Sequence, residues 1–270
     1  MGREGLFMAE TYTDTLMDLR IDYAANHPGG RMDAVHYHDA YEIYILERGE
    51  RNYLIDGTLV SLAAGEIALI RPFEMHSTDG SAYSRYVLYF KEAYLDRYFS
   101  AEGKRILLSL FETKKLSTDP ERYARLTSLL LELNSHREDF LLLGEILRLL
   151  LSCRALSVQQ EREGGSLGQR ITAYLSEHSL AFEGLDKLAA RFFITKPHLC
   201  RTFKRETGIS VMTYVNTQKL QHAADELRFT RKSMKRIAAD CGFHSSVYFC
   251  KLFKERLGLS PGEYRRRHQL

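Results

Sequence analysis

The spacing of apolar positions changes once along this chain. Between residues 41 and 90 they come in short runs rich in Ile, Val, Leu and Tyr, at residues 41–46, 52–55, 59–62, 67–70 and 85–90. Runs of that length and composition predict strands. Asp56-Gly57 has the form of a hairpin turn, and Gly65, Arg71-Pro72 and Asp79-Gly80 punctuate the rest. Short strands at near-regular spacing predict a small antiparallel barrel or jelly roll over residues 1–95.

From residue 92 the period lengthens to that of a helix, and residues 92–99, 104–112, 120–136 and 139–158 predict four helices. Leu129, Leu130 and Leu133 share a face of the third; Leu142, Leu143, Ile146, Leu149 and Leu150 make a broad stripe on the fourth. Such a hairpin has more apolar surface than one small barrel needs, so residues 96–158 are expected to form a homodimer interface. Covering the open side of the barrel is the alternative, and one hairpin can do both. Residues 159–167, polar and carrying Gly164-Gly165, read as a linker.

Residues 168–270 predict an all-α domain in which one pattern is written twice. Leu185, Leu188 and Ala189, a turn, Leu199 and Phe203, then Gly208 return as Met234, Ile237 and Ala238, a turn, Phe249 and Phe253, then Gly258. Two helix-turn-helix units, 185–208 and 234–258, therefore stand in tandem. Thr195 and Ser245 are placed as N-caps of the second helices, Pro197 falls in a first turn, and Gly208 and Gly258 end the helices. Because Leu199 and Phe203, like Phe249 and Phe253, must face inward, Lys196, Pro197, Cys200, Arg201 and Lys204 are left outside, as are Ser245, Ser246, Val247, Cys250, Lys251 and Lys254. A basic outer face of this kind suits a DNA major groove. Arg201 and Lys251 are the expected direct readers. Residues 210–227 predict one helix joining the units, about 27 Å long. That length approaches the roughly 34 Å repeat of the duplex, so both second helices can enter successive grooves.

Charge sharpens this division. From Ser166 onward 19 Lys and Arg stand against 9 Asp and Glu, a net of +10; the remaining residues carry 19 against 26, a net of −7. Cations are what phosphate contacts need, so the basic half carries the nucleic-acid signature. Cys153, Cys200, Cys241 and Cys250 form no C-x-x-C pair and no disulfide framework, which fits a reducing cytoplasm. The first fifteen residues lack a secretion-signal pattern, and the apolar run 140–153 is interrupted by Glu145 and Arg148 short of a bilayer span. No membrane partner is expected.

Gly242-Phe243, Tyr248-Phe249, Phe253-Lys254, Gly258-x-Ser260-Pro261 and Tyr264-Arg265 resemble the C-terminal signature of the AraC/XylS transcriptional regulators. The first unit is similar to the looser pattern of the same family through Leu188-Ala189, Leu199, Phe203-Lys204 and Gly208-x-Ser210. In the N-terminal half Gly30-x5-His36-x-His38-x3-Glu42-x6-Gly49 resembles the first cupin motif. Gly65-x6-Pro72-x3-His76 is similar to the second, with one extra residue before the proline, one fewer after it, Glu74 where glycine is usual and Gly80 near a usual asparagine. The resemblance implies a cupin barrel serving as the sensor of a DNA-binding regulator, with promoter DNA and a small effector as partners and RNA polymerase as a third where the regulator activates.

His36, His38 and Glu42 have even spacing, which puts them on one face of an extended segment, and His76 from a distant strand completes a set suited to iron, manganese, nickel or zinc. The departures in the second motif favour an organic effector instead, held by His36, His38, Glu42, His76, Tyr44, Tyr53 and Arg71, with no certain cofactor. A divalent transition metal at the three histidines and Glu42 is the alternative. A regulator without enzymatic activity is the leading reading. A metal-dependent cupin enzyme, such as a dioxygenase or isomerase fused to a DNA-binding tail, is the second, and a DNA-binding module with a merely structural barrel the third. No Ser-His-Asp set, phosphate loop or cysteine nucleophile supports the enzyme.

Overall fold

A computed structural model describes residues 18–30, 36–136, 139–157 and 166–269. Eight strands build the N-terminal half: β1 (Leu19–His27), β2 (Tyr41–Arg48), β3 (Glu50–Ile55), β4 (Thr58–Ala63), β5 (Glu66–Ile70), β6 (His76–Gly80), β7 (Tyr83–Phe90) and β8 (Lys115–Ser117). They form two antiparallel sheets, ordered β1-β7-β2-β5-β8 and β4-β3-β6. All five expected strands are present. The sequence did not announce β1, β6 or β8. β6 reads His-Ser-Thr-Asp-Gly, almost without β-formers, and is a strand because β3 pairs with it from Arg51 to Ile55.

The barrel is lined on both sides of its larger sheet. Tyr44, Leu46, Tyr53, Ile55, Val60, Leu62, Ala68, Ile70 and Val87 pack inside it. Ile43, Ile45, Ile67, Leu69, Leu88 and Phe90, at the alternate positions, pack outward against helices. This two-sided burial explains why β2 reads as a continuous apolar run rather than an alternation.

The helices that cover this outer face are α1 (Glu92–Asp96), α2 (Ala101–Leu108), α3 (Pro120–Ser135) and α4 (Phe140–Ser157), with a 3-10 turn over Ser109–Glu112. Of the two uses expected of the leucine stripe, dimer seam and barrel cover, the second is seen within the single chain. Leu126, Leu129, Leu130, Leu133, Leu142, Leu143, Ile146, Leu147 and Leu150 join one cluster with the sheet, and Ile146 and Leu150 are 0% exposed within the single chain. The outer face of the five-stranded sheet supplies the apolar partner surface that the strand runs did not reveal. The proposed linker lies outside the described residues as far as 165; Ser166 already caps the next helix.

The C-terminal half consists of α5 (Leu167–His178), α6 (Leu185–Arg191), α7 (Lys196–Thr207), α8 (Val211–Phe229), α9 (Met234–Asp240), α10 (Ser246–Leu257) and α11 (Pro261–His268). Thr195 and Ser245 cap α7 and α10 by accepting the N–H of His198 and Tyr248, as expected, and Gly208 and Gly258 end them in the left-handed conformation. The first unit closes over Leu188, Ala189, Leu199, Phe203 and Tyr214, the second over Ile237, Ala238, Phe249, Phe253 and Tyr264. α8 belongs to both cores.

The two halves touch along α8. Gly57, in the hairpin turn at φ 79°, approaches so closely that a Cβ there would meet the Gln218 amide at 2.3 Å. The Tyr214 hydroxyl donates to the Gly57 carbonyl. Gln221 accepts the Met75 N–H at 3.0 Å and donates to the Phe73 carbonyl at 3.2 Å. Leu54 packs into the first unit and Met75 into the second.

Candidate functional site

The extended chain at residues 36–38, the start of β2 and the start of β6 converge at one end of the barrel. His36 and His76 exchange backbone hydrogen bonds, with 3.0 Å and 2.9 Å separations, which places their rings 4.1 Å apart. His38 donates from Nδ1 to the Ala40 carbonyl at 2.9 Å, so its Nε2 faces Glu42 Oε2 at 2.8 Å. His76 is held the same way, Nδ1 to the Glu74 carbonyl at 2.9 Å, leaving Nε2 3.4 Å from the same Glu42 oxygen. At that separation charge attraction acts, but Nε2 makes no directed hydrogen bond.

Electrostatics follow from burial and from this carboxylate. Burial alone would raise the Glu42 carboxyl; the hydrogen bond with His38 and the attraction of His76 outweigh it and hold the group well below the usual carboxylate range. Burial lowers the His36 imidazole far below its ordinary value, helped by the neighbouring His76. His76 is pulled down by burial, yet Glu42 overcomes this and raises it. The set is thus one ionised carboxylate among three imidazoles, one of them kept neutral.

The donor set fits a divalent transition metal. One ligand atom from each of His36, His38 and His76 lies within 4.8 Å of the others. The Nδ1 of His36 and the Nε2 of His76 are buried without a hydrogen-bond partner. The carbonyls that bind the other nitrogens of His38 and His76 fix the rings as outer-shell groups do at metal sites. Imidazoles together with a carboxylate are ligands that suit iron, manganese, nickel or zinc.

Beside these residues lies a cavity of about 270 Å³ lined in part by His36, Glu42, Tyr44, Tyr53, Arg51 and Arg85. Four of the seven residues expected to meet an effector, His36, Glu42, Tyr44 and Tyr53, line this cavity, and His38 and His76 adjoin it through Glu42. Arg71 is the exception and is corrected here. Its side chain leaves the barrel, binds Glu74 from Nε at 2.6 Å, and lines the cleft facing α8 with Asp56, Gln221, Asp225 and Arg228. Ala68 and Ile70 face into the barrel, so the next residue, at the alternate position, points away from the inner face. Sequence reasoning missed Arg51 and Arg85. The signal was parity: Arg51 lies two residues from the inward Tyr53, and Arg85 two from the inward Val87, so each shares its neighbour's face.

The outer faces of α7 and α10 are open. Lys196, Pro197, Arg201, Lys204, Ser245, Val247, Lys251 and Lys254 are exposed, whereas Cys200, Ser246 and Cys250 are half-buried. Cys250 packs against the second core, and the Ser245 hydroxyl is occupied as a helix cap. Arg201, Lys204 and Lys254 have no ion-pair partner among the described residues, so their charge is available to phosphate or base edges. Lys196 is paired with Asp186 at 3.0 Å and Lys251 with Glu255 at 3.7 Å, both in solvent where such pairs are weak. Phe193, in the turn of the first unit, was not foreseen: it is 96% exposed at φ 58°.

A family model described as an AraC-like ligand binding domain matches residues 22–151, and one described as a helix-turn-helix domain matches residues 188–267. The HTH-type transcriptional activator RhaS of Escherichia coli strain SMS-3-5 is 27% identical over 244 residues, covering 85% of this chain and 86% of its own. The uncharacterized HTH-type transcriptional regulator YijO of Escherichia coli strain K12 is 32% identical over 123 residues, 44% of each chain. Among solved structures, ToxT from Vibrio cholerae aligns at 14% identity over 93% of this chain and 98% of that one, with a TM-score of 0.38.

Proposed function

We propose that this chain, which belongs to the AraC family of transcription regulators, places its two recognition helices on promoter DNA under the control of a small effector held in the barrel. One observation carries the coupling. The residues that line the site alternate along the chain with residues that hold the DNA-binding half. Tyr37 lies between His36 and His38 and turns the other way, its ring 5.6 Å from Tyr264 and 6.3 Å from His268 on α11. Met75 precedes His76 and is buried in the core of the second unit. A ligand that draws His36, His38 or His76 inward therefore moves Tyr37 and Met75 against α8 and α11.

Arg201, Lys204, Lys251 and Lys254 are the proposed DNA contacts, with Lys196, Pro197, Cys200, Ser245, Ser246, Val247 and Cys250 at the same faces. The reading includes a cytoplasmic location, no reaction of the chain's own, and contact with RNA polymerase where the regulator activates. No helix among the described residues is long and apolar enough to cross a membrane. A homodimer would have to use the outer face of the α3–α4 hairpin, where Leu131 and Leu141 are 58% and 61% exposed, because the inner stripe is consumed by the sheet.

The test begins with thermal-shift screening of the full chain against sugars, aromatic acids, amino acids and divalent metals, since a ligand of the folded state raises the midpoint by mass action. A compound that does so is expected to change operator affinity, and Tyr37→Ala is expected to keep the binding and lose the change. Equal operator affinity with and without every bound compound refutes the coupling.

A second reading is favoured by the unpartnered nitrogens of His36 and His76. In it His36, His38 and His76, with Glu42, hold a divalent transition metal that offers an effector a coordination position. About one equivalent of metal per chain by elemental analysis, lost in His36→Ala/His76→Ala, is the expected result; metal-free protein purified without chelator at neutral pH refutes it.

A further inference from the structure

Arg51 and Arg85 share the barrel cavity, yet neither forms an ion pair with a carboxylate among the described residues. Arg51 is 3% exposed; its Nε donates to the Thr78 hydroxyl at 3.1 Å, its Nη1 to the Gly30 carbonyl at 3.1 Å, and its guanidinium lies 4.5 Å from the Tyr83 ring centre. All three partners are uncharged. Arg85 is less satisfied: its Nη1 is buried with no hydrogen-bond partner, and the Tyr44 hydroxyl in the same cavity is likewise buried and unpartnered. The Arg85 guanidinium stands 5.7 Å from the Tyr44 ring centre, and both residues line the same cavity. Glu42, the one carboxylate on this cavity wall, is engaged by His38 and His76.

A guanidinium cannot shed its proton, and a buried cation without a counter-charge is costly. Two of them around one small cavity, beside a phenol with a free donor, make a receptor for negative charge. We propose that the effector is a small organic oxyanion, a carboxylate or a phosphate ester, whose charged group sits between Arg85, Arg51 and the Tyr44 hydroxyl. Guanidinium donors match either oxyanion in a two-pronged geometry. The cavity, at about 270 Å³, is smaller than the roughly 300–1,000 Å³ of pockets for drug-sized ligands, so the effector is small. Its uncharged end faces His36 and Glu42.

This inference rests on the effector-binding reading and is tested apart from it. The full chain is titrated with acetate, inorganic phosphate, chloride at matched ionic strength, and glucose as an uncharged probe. Midpoint of unfolding and near-ultraviolet circular dichroism, which reports the tyrosines of the cavity, are followed in the parent, Arg85→Gln and Arg85→Lys. Acetate or phosphate is expected to raise the midpoint and perturb the tyrosine signal where chloride does not. The apparent affinity should fall at least tenfold in Arg85→Gln and be largely retained in Arg85→Lys. A response to acetate but not phosphate assigns a carboxylate, and the reverse a phosphate ester. Equal responses of parent and Arg85→Gln to both anions overturn the proposal. A response to glucose alone overturns the proposal while leaving the effector-binding reading in place, and silence of the barrel toward every probe counts against both.

Discussion

Gln221 on α8 is the point at which the domain contact can be weakened without touching the site or either DNA-reading face. It accepts the Met75 N–H at 3.0 Å and donates to the Phe73 carbonyl at 3.2 Å, and its side chain is buried between the halves. Gln221→Ala removes both bonds and strands the Met75 N–H in an apolar cluster. A neutral hydrogen bond contributes about 0.5–1.5 kcal/mol net, and a buried donor left unpaired costs about 1–3 kcal/mol. The domain contact should therefore weaken by about 1–3 kcal/mol, a factor of roughly 5 to 150 in the population of the separated arrangement. Amide hydrogen exchange measures this directly: protection at Met75 and at Asp56, whose N–H donates to the Met75 carbonyl at 2.9 Å, should drop by that factor. Ile43 and Ile45, in the middle of β2, should keep their protection. Unchanged exchange at Met75 refutes the claim that Gln221 holds the halves together. An equal rise at Ile43 and Ile45 refutes it differently, by showing that the barrel itself has been loosened.

Replacing Arg201 or Lys251 by Ala should weaken operator binding by about 1–3 kcal/mol and relax preference in one half of the site only; identical footprints for both variants and the parent would exclude direct readout by these residues. Phe193→Gly should stabilise the chain by about 1 kcal/mol, seen as a higher unfolding midpoint, because a bulky residue at φ 58° is strained and its ring gains nothing from burial. The carboxyl of Asp56 is raised by burial and then by Glu74. The folded state therefore binds its proton more tightly than the unfolded chain, and stability from this group falls as pH rises above the usual carboxylate value of about 4. Asp56→Asn should accordingly stabilise the protein at pH 7 and lose that advantage as the pH approaches 4; an advantage of constant size at both pH values would remove the charge as its cause.

What the residues announced was set by how local the determining physics is. Caps and terminators act within one turn of chain, so Thr195, Ser245, Gly208 and Gly258 were legible one by one. Even spacing places side chains on one face without reference to anything distant, so His36, His38 and Glu42 were legible together, and His76 joined them through a motif. The use of the hairpin stripe stayed open between dimer seam and barrel cover because its partner is non-local: Ile146 and Leu150 bury themselves on a sheet face made of Ile43, Ile45, Ile67, Leu69 and Leu88, whose two-sided burial is visible only once the strands are paired. Arg71 was misplaced for a different reason. Ala68 and Ile70 face into the barrel, so alternation alone puts Arg71 on the other side, where its side chain ends on Glu74, facing the other domain.

The internal repeat teaches the same lesson at the scale of a domain. Both helix-turn-helix units turn through a left-handed residue at equivalent positions, Phe193 at φ 58° and Gly242 at φ 71°. In the second unit a Cβ at Gly242 would meet the Leu180 carbonyl oxygen at 2.3 Å, while the Lys219 ammonium donates to the Gly242 carbonyl at 2.7 Å. That turn is wedged between the loop after α5 and α8, so only glycine fits. In the first unit the same turn faces solvent, a side chain is tolerated sterically, and the chain carries a phenylalanine that no local rule of folding requires. Equal backbone geometry thus hides unequal surroundings: the second unit is locked to α8 and to the barrel through Met75 and Tyr37, whereas the first presents its turn to whatever lies outside the molecule. Under the proposed effector control, a signal leaving His36 and His76 would reach the second unit by direct packing of Tyr37 and Met75, whereas the first unit meets the barrel at Leu54, at the Gly57 turn and at Asp79 beside Gly208.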